Sequence, residues 1–376
     1  MGYYEYVATC LFGLEKFLGD EIESLGYKKI ETIDGRVTFS GDEDAIARFN
    51  IFSRYAERLY IKLGSFQARS FTELFDGTKD LPFECFIGPE DCFPVTGSSV
   101  RSKLISIPDC QSIIKKAIVE KLKESYRIDW FKETGSLYRV EFFINKDIAT
   151  IMIETSGEPL HKRGYRPESN IAPLRETLAA AMVKIAHMRD DVLLWDPFCG
   201  SGTIPIEAAM MMTNRAPGLN RSFASEKFEF LDESIWDKAR QEANDVIIFN
   251  SQFEAFASDI DDKCISLTKS NAKRANVFKY IKAFKKNALD IEKIDRRATV
   301  ICNPPYGERL LNECEVKELY TKMGKKFMQL SPWQIYIISS VAEFESLYGK
   351  KADKKRKFYN VRLKCNYYQY FKNYSR

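Results

Sequence analysis

The sequence predicts an α/β protein in which two small mixed units precede a parallel, doubly wound sheet. At 376 residues, the chain is too long for one ordinary core, so we expect two or three domains. The first sixty-odd residues follow the order β-α-β-β-α-β, which is ferredoxin-like. From about Asp191 onward, apolar strands alternate with helices, as in a parallel sheet covered on both faces.

The composition excludes several classes of protein. With 45% hydrophobic and 29% charged residues, it is typical of a soluble globular protein. No apolar run approaches the roughly 18 residues of a membrane span, and the N-terminus lacks the order of a signal peptide, so we expect a cytoplasmic protein without membrane association. Nine irregularly spaced cysteines and only two histidines predict neither a disulfide framework nor a metal centre. The net charge of +4 does not by itself indicate a nucleic-acid partner.

The first unit spans residues 1–65. Its predicted elements are, in order, a strand at 4–11, a helix at 13–26, a hairpin over 28–41, a helix at 42–54 and a strand at 57–66. Asp34-Gly35, at the turn of the hairpin, is a strong two-residue turn signal.

The second unit spans residues 66–160. Its clearest helix, residues 110–124, directs apolar side chains inward and leaves lysines outside, among them Lys115 and Lys116. A solvated helix face is one interpretation of these lysines, and contact with RNA is the other. A hairpin over 137–156 follows, with its turn near Lys146.

The third unit, residues 161–376, begins irregularly and enters a helix with Pro173 in its first turn. Strands are predicted at 192–196, 254–259, 280–286, 298–302 and 333–340, and helices from 204, at 262–276 and around 315–330. Two further strands are predicted in the tail from 355.

A glycine-rich loop follows the first strand of the third unit, in "LLWDPFCGSGTIPIEAAM". Gly200 and Gly202 let the backbone approach a ligand closely at the start of a helix. No Lys-Ser/Thr pair follows, so this is not a P-loop, and the third glycine of a dinucleotide fingerprint is missing. The loop alone therefore indicates only a nucleotide-binding α/β protein.

Three carboxylates at successive strand ends narrow the choice of ligand. Asp196 would repel a pyrophosphate but suits the ammonium and sulfonium groups of S-adenosylmethionine. Asp259 is placed to accept hydrogen bonds from a ribose, and Asp290 to face the adenine amino group. Each alone is more typical of a cap or turn than of a ligand contact, whereas three at one sheet edge indicate a binding site.

The fourth strand ends in the rigid corner "NPPY", residues 303–306. The Asn303 side-chain oxygen and the Pro304 carbonyl can accept the two hydrogens of a nucleobase amine, which localises its lone pair for attack. Pro304 and Pro305 fix the direction of that carbonyl, and Tyr306 offers a face for stacking the base. Such preorganisation requires no histidine base.

The combination of "DPFCGSGT" and "NPPYGERL" resembles the amino-methyltransferases, and the whole chain resembles the bacterial THUMP-domain RNA methyltransferases. Further matches are "SGEPLHKRGYR", "APLRETLAAA" and "PDCQSIIKKAIVEKL". The resemblance implies a ferredoxin-like domain and a THUMP domain, which precede a Rossmann-like, seven-stranded class I methyltransferase domain. It also implies a guanine-N2 methyltransferase of large-subunit (23S) ribosomal RNA, in a family formerly labelled N6-adenine-specific DNA methylases.

The resemblance also implies roles for individual residues. The methionine side of the cofactor falls to Asp196, Pro197, Gly200, Gly202 and Thr203, with Pro173 and Leu174 closing over it. Asp259 falls on the ribose, Asp290 near the adenine, and Asn303 between cofactor and amine, beside Pro304, Pro305 and Tyr306. Ala257 replaces a frequent glycine, "YNV" replaces "YNG", and the second catalytic domain of longer relatives is absent, so one methylation is expected.

RNA, either 23S ribosomal RNA or its assembly intermediates, is the expected partner, and no obligate protein partner is inferred. The candidate contacts come from a helix, an entry segment and a basic loop over 350–357: Lys115 and Lys116; Lys162, Arg163 and Arg166; Lys354, Lys355 and Arg356.

Other functions remain open from the residues alone. The corner serves any exocyclic amine, so adenine N6 or a guanine of tRNA is an alternative target. A Rossmann-fold dehydrogenase is disfavoured by the missing glycine and by Asp196. A non-catalytic RNA-binding protein is disfavoured by the intact Asn303–Tyr306 corner.

Overall fold

The structure is a computed structural model that describes residues 3–167, 174–306, 312–360 and 363–371. Two seven-stranded sheets organise it, one in each half of the chain. The elements of the first half are β1 (Tyr4–Cys10), α1 (Glu15–Ser24), β2 (Lys28–Ile33), β3 (Arg36–Gly41), α2 (Asp44–Phe52), β4 (Ala56–Gln67), α3 (Phe71–Lys79), β5 (Val95–Val100), α4 (Ile107–Tyr126), β6 (Val140–Asn145) and β7 (Ile148–Glu154).

The first sheet has the strand order β2-β3-β1-β4-β7-β6-β5. Its β2-β3-β1-β4 part, with α1 and α2, confirms the ferredoxin-like order predicted from the sequence. Gly35, with φ of +73°, lies in the predicted two-residue turn between β2 and β3. Lys146 and Asp147, both with positive φ, form the predicted turn between β6 and β7.

The two small units share one continuous sheet, which the strand pattern alone does not predict. Strand β4 is 12 residues long and pairs antiparallel with β1 along one edge and with β7 along the other. The ferredoxin-like unit and the unit that follows are therefore joined by backbone hydrogen bonds rather than by a linker.

The second half contains α5 (Glu176–Ile185), β8 (Leu193–Asp196), α6 (Thr203–Met212), α7 (Ser234–Asp245), β9 (Ala255–Asp259), α8 (Asp262–Arg274), β10 (Ile281–Lys285), β11 (Ala298–Cys302), α9 (Glu313–Phe327), β12 (Gln334–Ser339), α10 (Phe344–Tyr348), β13 (Lys354–Asn360) and β14 (Leu363–Tyr370). The strand order is β10-β9-β8-β11-β12-β14-β13, with β8 to β12 parallel and β14 antiparallel. This confirms the predicted parallel sheet with two further strands at its edge.

Two details of the second half differ from the sequence predictions. The basic stretch expected as a loop over 350–357 instead enters edge strand β13 at Lys354, because this strand pairs along its length with β14. Helix α7 was not predicted, although Ile235, Trp236 and Ala239 form its buried face. Pro173, expected in the first turn of α5, lies outside the described residues.

The two halves are held together by polar as well as apolar contacts. Arg48 of α2 forms a bidentate ion pair with Glu242 of α7, with Nε 2.8 Å from Oε2 and Nη2 2.8 Å from Oε1. Apolar side chains from both halves belong to one continuous core. In the described ranges, no helix is both long and apolar enough to cross a membrane.

Candidate active site

The glycine-rich loop lies where β8 meets α6, at the carboxyl edge of the parallel sheet. Gly200 and Gly202 have φ of +52° and +83°, in the left-handed region that glycine adopts without strain. The Gly200 amide donates to Oδ2 of Asp259 at 3.0 Å, so the loop reaches the end of the neighbouring strand β9. The structure thus brings Gly200, Gly202 and Asp259 together as predicted.

Two side chains of helix α8, which the sequence motifs did not identify, hold the glycine-rich loop in place. Thr268 Oγ1 donates to the Gly200 carbonyl at 3.0 Å, and Asn271 Nδ2 donates to the Ser201 carbonyl at 2.9 Å. A Cβ on Gly202 would lie 2.9 Å from the Thr268 methyl group, so the helix leaves no room for a side chain there. Two polar residues three apart on a buried helix face were the available sequence signal.

Arg166 contacts the end of the glycine-rich loop, where α6 begins. Its Nη1 donates to Thr203 Oγ1 at 2.7 Å and to the Leu174 carbonyl at 3.1 Å, and its Nη2 lies 2.8 Å from Glu176. The side chain is almost fully buried. This corrects the expectation that Arg166 contacts RNA, because its guanidinium is committed to the start of α6 and the approach to α5.

Asp196 ends β8 and is the most isolated charge in the site. The residue is 1% exposed, and among the described residues its hydrogen-bond donor is the Phe198 amide, 3.1 Å from Oδ1. Burial, with the nearby Asp259 carboxylate, raises the pKa of Asp196 well above its usual value. Within the described part of the chain, no lysine or arginine offsets this charge.

The other two predicted carboxylates differ in their surroundings. Asp259 is partly exposed and accepts from the amides of Gly200 and Asp261, at 3.0 and 3.1 Å. Asp290 ends a short 3₁₀ turn after β10 and is exposed. Because β10, β9 and β8 are adjacent and parallel, all three follow the same sheet edge.

The Asn-Pro-Pro-Tyr corner follows β11, which is adjacent to β8 on its other side. The Asn303 side-chain oxygen is buried and has no hydrogen-bond partner among the described residues. An unpaired buried acceptor costs about 1–3 kcal/mol, so this oxygen is free to accept a hydrogen bond from a ligand. Pro304 is buried and Pro305 partly buried, which supports the rigid placement expected of this corner.

A buried chain of hydroxyl groups holds the corner from behind. Tyr320 of α9 donates its hydroxyl to the Pro305 carbonyl at 3.0 Å, and the same oxygen lies 3.0 Å from Ser339 Oγ. Ser339 Oγ in turn accepts from the Val341 amide at 3.1 Å. Because the tyrosine proton goes to Pro305, Ser339 donates to Tyr320, and every hydroxyl in the chain is satisfied. No sequence motif marks Tyr320.

Tyr306 turns its hydroxyl toward the edge strands. Asn360 Nδ2 of β13 donates to it at 3.4 Å, and Cys365 of β14 lies 4.0 Å away. Burial and the Cys365 thiol raise the pKa of Tyr306, so the phenol stays neutral. This arrangement connects the corner to β13, a contact that the sequence does not predict.

The residues at this edge fit S-adenosylmethionine. Asp196 supplies a buried carboxylate without a cation, and the cofactor carries an ammonium and a sulfonium group. The glycine loop offers a helix N-terminus that a side chain at Gly202 would disrupt. Pro197 and Thr203 flank that loop, and Thr203 is buried.

The residues expected to contact RNA separate into lysines, which are exposed or partly exposed, and arginines, which make contacts within the protein. Lys116, Lys162, Lys354 and Lys355 are exposed, although Lys162 pairs with Glu158 and Lys355 with Glu345. Lys115 is partly exposed, lies 2.7 Å from Glu133 and donates to the Phe93 carbonyl at 3.1 Å.

All three arginines expected to contact RNA make contacts within the protein, Arg166 as described above. Arg163 is 3% exposed and donates to the Leu160 carbonyl at 2.7 Å, with Glu207 at 3.6 Å, which corrects the expectation that it contacts RNA. Arg356 lies 4.4 Å above the Phe17 ring and donates to the Gly13 carbonyl at 3.1 Å, so it joins β13 to the N-terminal domain.

Three family models match consecutive parts of the chain. The one described as "RlmL ferredoxin-like domain" matches residues 5–60, "THUMP domain" matches 68–154, and "RMKL-like, methyltransferase domain" matches 163–369. The first two models match the half of the chain that forms the first sheet, and the third matches the half that forms the second sheet.

Known proteins match along nearly the full length. "Putative RNA methyltransferase YpsC" of Bacillus subtilis (strain 168) is 43% identical over 371 residues, which are 98% of this chain and 96% of that protein. A crystal structure of a possible methylase from Clostridium difficile 630 is 45% identical with a TM-score of 0.96, covering 100% of both chains. SMU.472, described as "a putative methyltransferase complexed with SAH", is 38% identical with a TM-score of 0.93, also covering 100% of both.

Proposed function

Because this chain belongs to the family of RMKL-like methyltransferase domains, joined here to ferredoxin-like and THUMP domains, we propose that it transfers one methyl group from S-adenosylmethionine to the N2 amine of a guanine in RNA. The RNA is 23S ribosomal RNA or an assembly intermediate of it, and the reaction takes place in the cytoplasm. The observation that carries the proposal is the unpartnered, buried Asn303 oxygen at the same sheet edge as Asp196.

Asn303 and Pro304 act on the target amine. An exocyclic amine is a weak nucleophile because its lone pair is delocalised into the ring. The Asn303 oxygen and the Pro304 carbonyl each accept one N–H, which localises the lone pair toward the methyl group. Methylation leaves the amine positively charged and strongly acidic, so it then loses one proton to water, while the two neutral carbonyl oxygens orient its N–H groups without taking the proton.

The prolines and Tyr320 supply the geometry rather than the chemistry. Proline fixes φ, so the direction of the Pro304 carbonyl is set before the base arrives. Tyr320 restrains the following peptide through its 3.0 Å bond to the Pro305 carbonyl. Tyr306 presents its ring beside this corner for stacking the flipped base, while Asn360 restrains its hydroxyl.

The glycine loop and the aspartates bind the cofactor. When bound, S-adenosylmethionine supplies an electrophilic methyl group on a sulfonium. Asp196 offsets positive charge on the methionine side, Asp259 accepts from the ribose hydroxyls, and Asp290 faces the adenine. A relative of 38% identity, SMU.472, is described as complexed with SAH, which supports this choice of cofactor.

The RNA contacts come from exposed lysines on both halves of the protein. Lys116 of α4 belongs to the THUMP domain, Lys162 directly precedes the methyltransferase domain, and Lys354 lies within it. Such lysines bind phosphates without reading sequence, and the pocket takes the unstacked base. The YpsC relative is described as an RNA methyltransferase, which supports RNA rather than DNA as the substrate.

The experiment that tests this proposal is transfer of labelled methyl groups to RNA isolated from a strain that lacks the gene, followed by nucleoside analysis. We expect N2-methylguanosine in the large ribosomal RNA and nowhere else. N6-methyladenosine, or label confined to tRNA, would replace the proposed target by one of its alternatives. Absence of transfer to every RNA fraction would contradict the proposal altogether.

A further inference from the structure

An aromatic pair lies beside the catalytic corner, across the boundary between the two halves. Phe12, in the connection between β1 and α1, packs edge-to-face on Tyr359 of β13, with ring centroids 6.1 Å apart and an interplanar angle of 74°. Phe12 remains 54% exposed in this contact, and Tyr359 is partly exposed. Neither ring takes part in the methyl-transfer site described above.

The pair lies at the catalytic edge of the sheet. Strand β14 runs antiparallel to β12, and β13 runs antiparallel to β14, so β13 points the same way as the parallel strands. Its last residues, Tyr359 and Asn360, therefore lie at the edge that carries the Asn303 corner. Three strand spacings separate β11 from β13, roughly 14 Å. Asn360 contacts Tyr306 directly, at 3.4 Å.

Phe12 is rigidly supported although it is exposed. The Glu15 carboxylate accepts from the amides of Gly13 and Gly35, at 2.8 and 3.0 Å, and so ties the Phe12 loop to the β2–β3 turn. A Cβ on Gly35 would lie 3.2 Å from the Phe12 ring, so the ring rests directly on that turn. A ring fixed in place but open on one side loses little conformational freedom when a ligand stacks on it.

Two lysines surround the aromatic pair. Lys357 Nζ lies 5.0 Å from the centroid of the Tyr359 ring, and Lys364 is the cross-strand partner of Tyr359. Both lysines are exposed, and no ion pair engages them within the described part of the chain. Exposed rings next to unpaired cations complement a nucleic-acid strand, since bases stack on the rings while phosphates meet the lysines.

We propose that Phe12 and Tyr359 form a stacking platform for an unpaired base that flanks the target nucleotide, with Lys357 and Lys364 at its phosphates. The ferredoxin-like domain thereby contributes directly to RNA recognition through Phe12. This inference rests on the proposed function, because it assigns the flanking nucleotide of the same RNA substrate.

The test measures binding of a short, labelled, mixed-sequence single-stranded RNA by fluorescence anisotropy at several salt concentrations. Phe12→Leu and Tyr359→Leu keep apolar volume and remove the ring, and each is expected to weaken binding by about 5- to 100-fold with an unchanged salt slope. Lys357→Ala is expected to reduce the salt slope by about 0.7 for one lost phosphate contact. Tyr359→Phe and Phe12→Trp keep a ring and are expected to bind like the unmodified protein.

Phe249→Leu is the matched control, because Phe249 is 63% exposed and precedes β9 at the opposite edge of the sheet. Melting temperature and S-adenosylmethionine affinity, measured on each variant, show that the fold and the cofactor site are retained. The platform would be overturned if the leucine variants bound single-stranded RNA like the unmodified protein. It would also be overturned if they lost as much affinity for duplex RNA as for single-stranded RNA.

Methyl-transfer assays separate this inference from the proposed function. Transfer by the unmodified protein with unchanged kcat/KM in both leucine variants would overturn the platform and leave the proposed function standing. Ring-dependent binding of single-stranded RNA, in a protein that methylates no RNA, would overturn the proposed function and leave the platform standing.

Discussion

Two carboxylates in this protein, Glu57 partly buried and Asp196 fully buried, have opposite surroundings. Glu57 of β4 accepts from Thr177 Oγ1 at 2.8 Å, and lies 2.7 Å from His161 Nδ1 and 2.8 Å from Arg175 Nη1. Burial opposes its ionisation, but the His161 hydrogen bond and charge, with the Arg175 charge, lower the pKa of Glu57. Asp196 has no such cation, and burial raises its pKa.

We infer that this difference separates a carboxylate that stabilises the fold from one that binds a ligand. Glu57 connects the first sheet to residues that flank the start of α5, and its charge is matched inside the protein. Asp196 and the Asn303 oxygen are left unmatched at the catalytic edge, which costs free energy unless a ligand matches them. The following variants test whether that distinction holds.

Asn303→Ala has the largest expected effect. Loss of the side-chain acceptor should lower the single-turnover rate of methyl transfer by about 10²- to 10³-fold, because the amine loses one of its two acceptors. S-adenosylmethionine affinity, measured by calorimetry, should stay unchanged. Asn303→Asp keeps an acceptor oxygen and should recover part of the rate. Loss of cofactor binding in Asn303→Ala would show that Asn303 serves the cofactor instead of the amine.

Glu57→Gln should destabilise the protein by about 1–2 kcal/mol at pH 7, since Arg175 loses its partly buried anionic partner. Because the folded pKa of Glu57 is lowered, its contribution is present above the unfolded pKa and is lost as pH falls through the folded one. The variant should therefore differ most from the unmodified protein at neutral pH and converge with it in acid. Glu158→Gln, which breaks the exposed pair with Lys162, is the control and should change stability by less than about 1 kcal/mol. Equal melting temperatures for the two variants would contradict the stabilising role of Glu57.

Tyr320→Phe has a smaller expected effect on methyl transfer than Asn303→Ala. It removes the hydroxyl that donates to the Pro305 carbonyl and accepts from Ser339, whereas Tyr280→Phe at the opposite edge removes the bond from Tyr280 to the Phe249 carbonyl, at 3.0 Å. Tyr280→Phe should lose about 1 kcal/mol of stability, and Tyr320→Phe about 1–2 kcal/mol because it also leaves the Ser339 hydroxyl without this acceptor. Only Tyr320→Phe should also lower kcat, by about tenfold with unchanged KM for the cofactor, because only it loosens the corner. A similar kcat in both variants would reduce Tyr320 to a packing residue.

Local patterns predict the fold well, and they predict the catalytic edge in part. The alternation of strands and helices, Asp34-Gly35 and the two motifs at Gly200 and Asn303 are local signals, so the elements they mark were found. The continuity of the first sheet through β4, and the burial of Arg163 and Arg166, depend on how distant segments meet. A basic residue has the same appearance in a sequence whether it faces RNA or a buried glutamate.

We infer that the Asp196 carboxylate has no cationic partner among the described residues until the cofactor supplies one. Calorimetric titration with S-adenosylmethionine in two buffers of different ionisation heat, between pH 5 and 7, measures the protons exchanged on binding. Since the pKa of Asp196 is raised in the ligand-free protein and a cation lowers it, we predict proton release and an affinity that increases with pH. Asp196→Asn should bind weakly without releasing protons. An affinity for S-adenosylmethionine that stays constant between pH 5 and 7, with no proton exchanged on binding, would contradict this role of Asp196. Proton release by Asp196→Asn equal to that of the unmodified protein would contradict it as well.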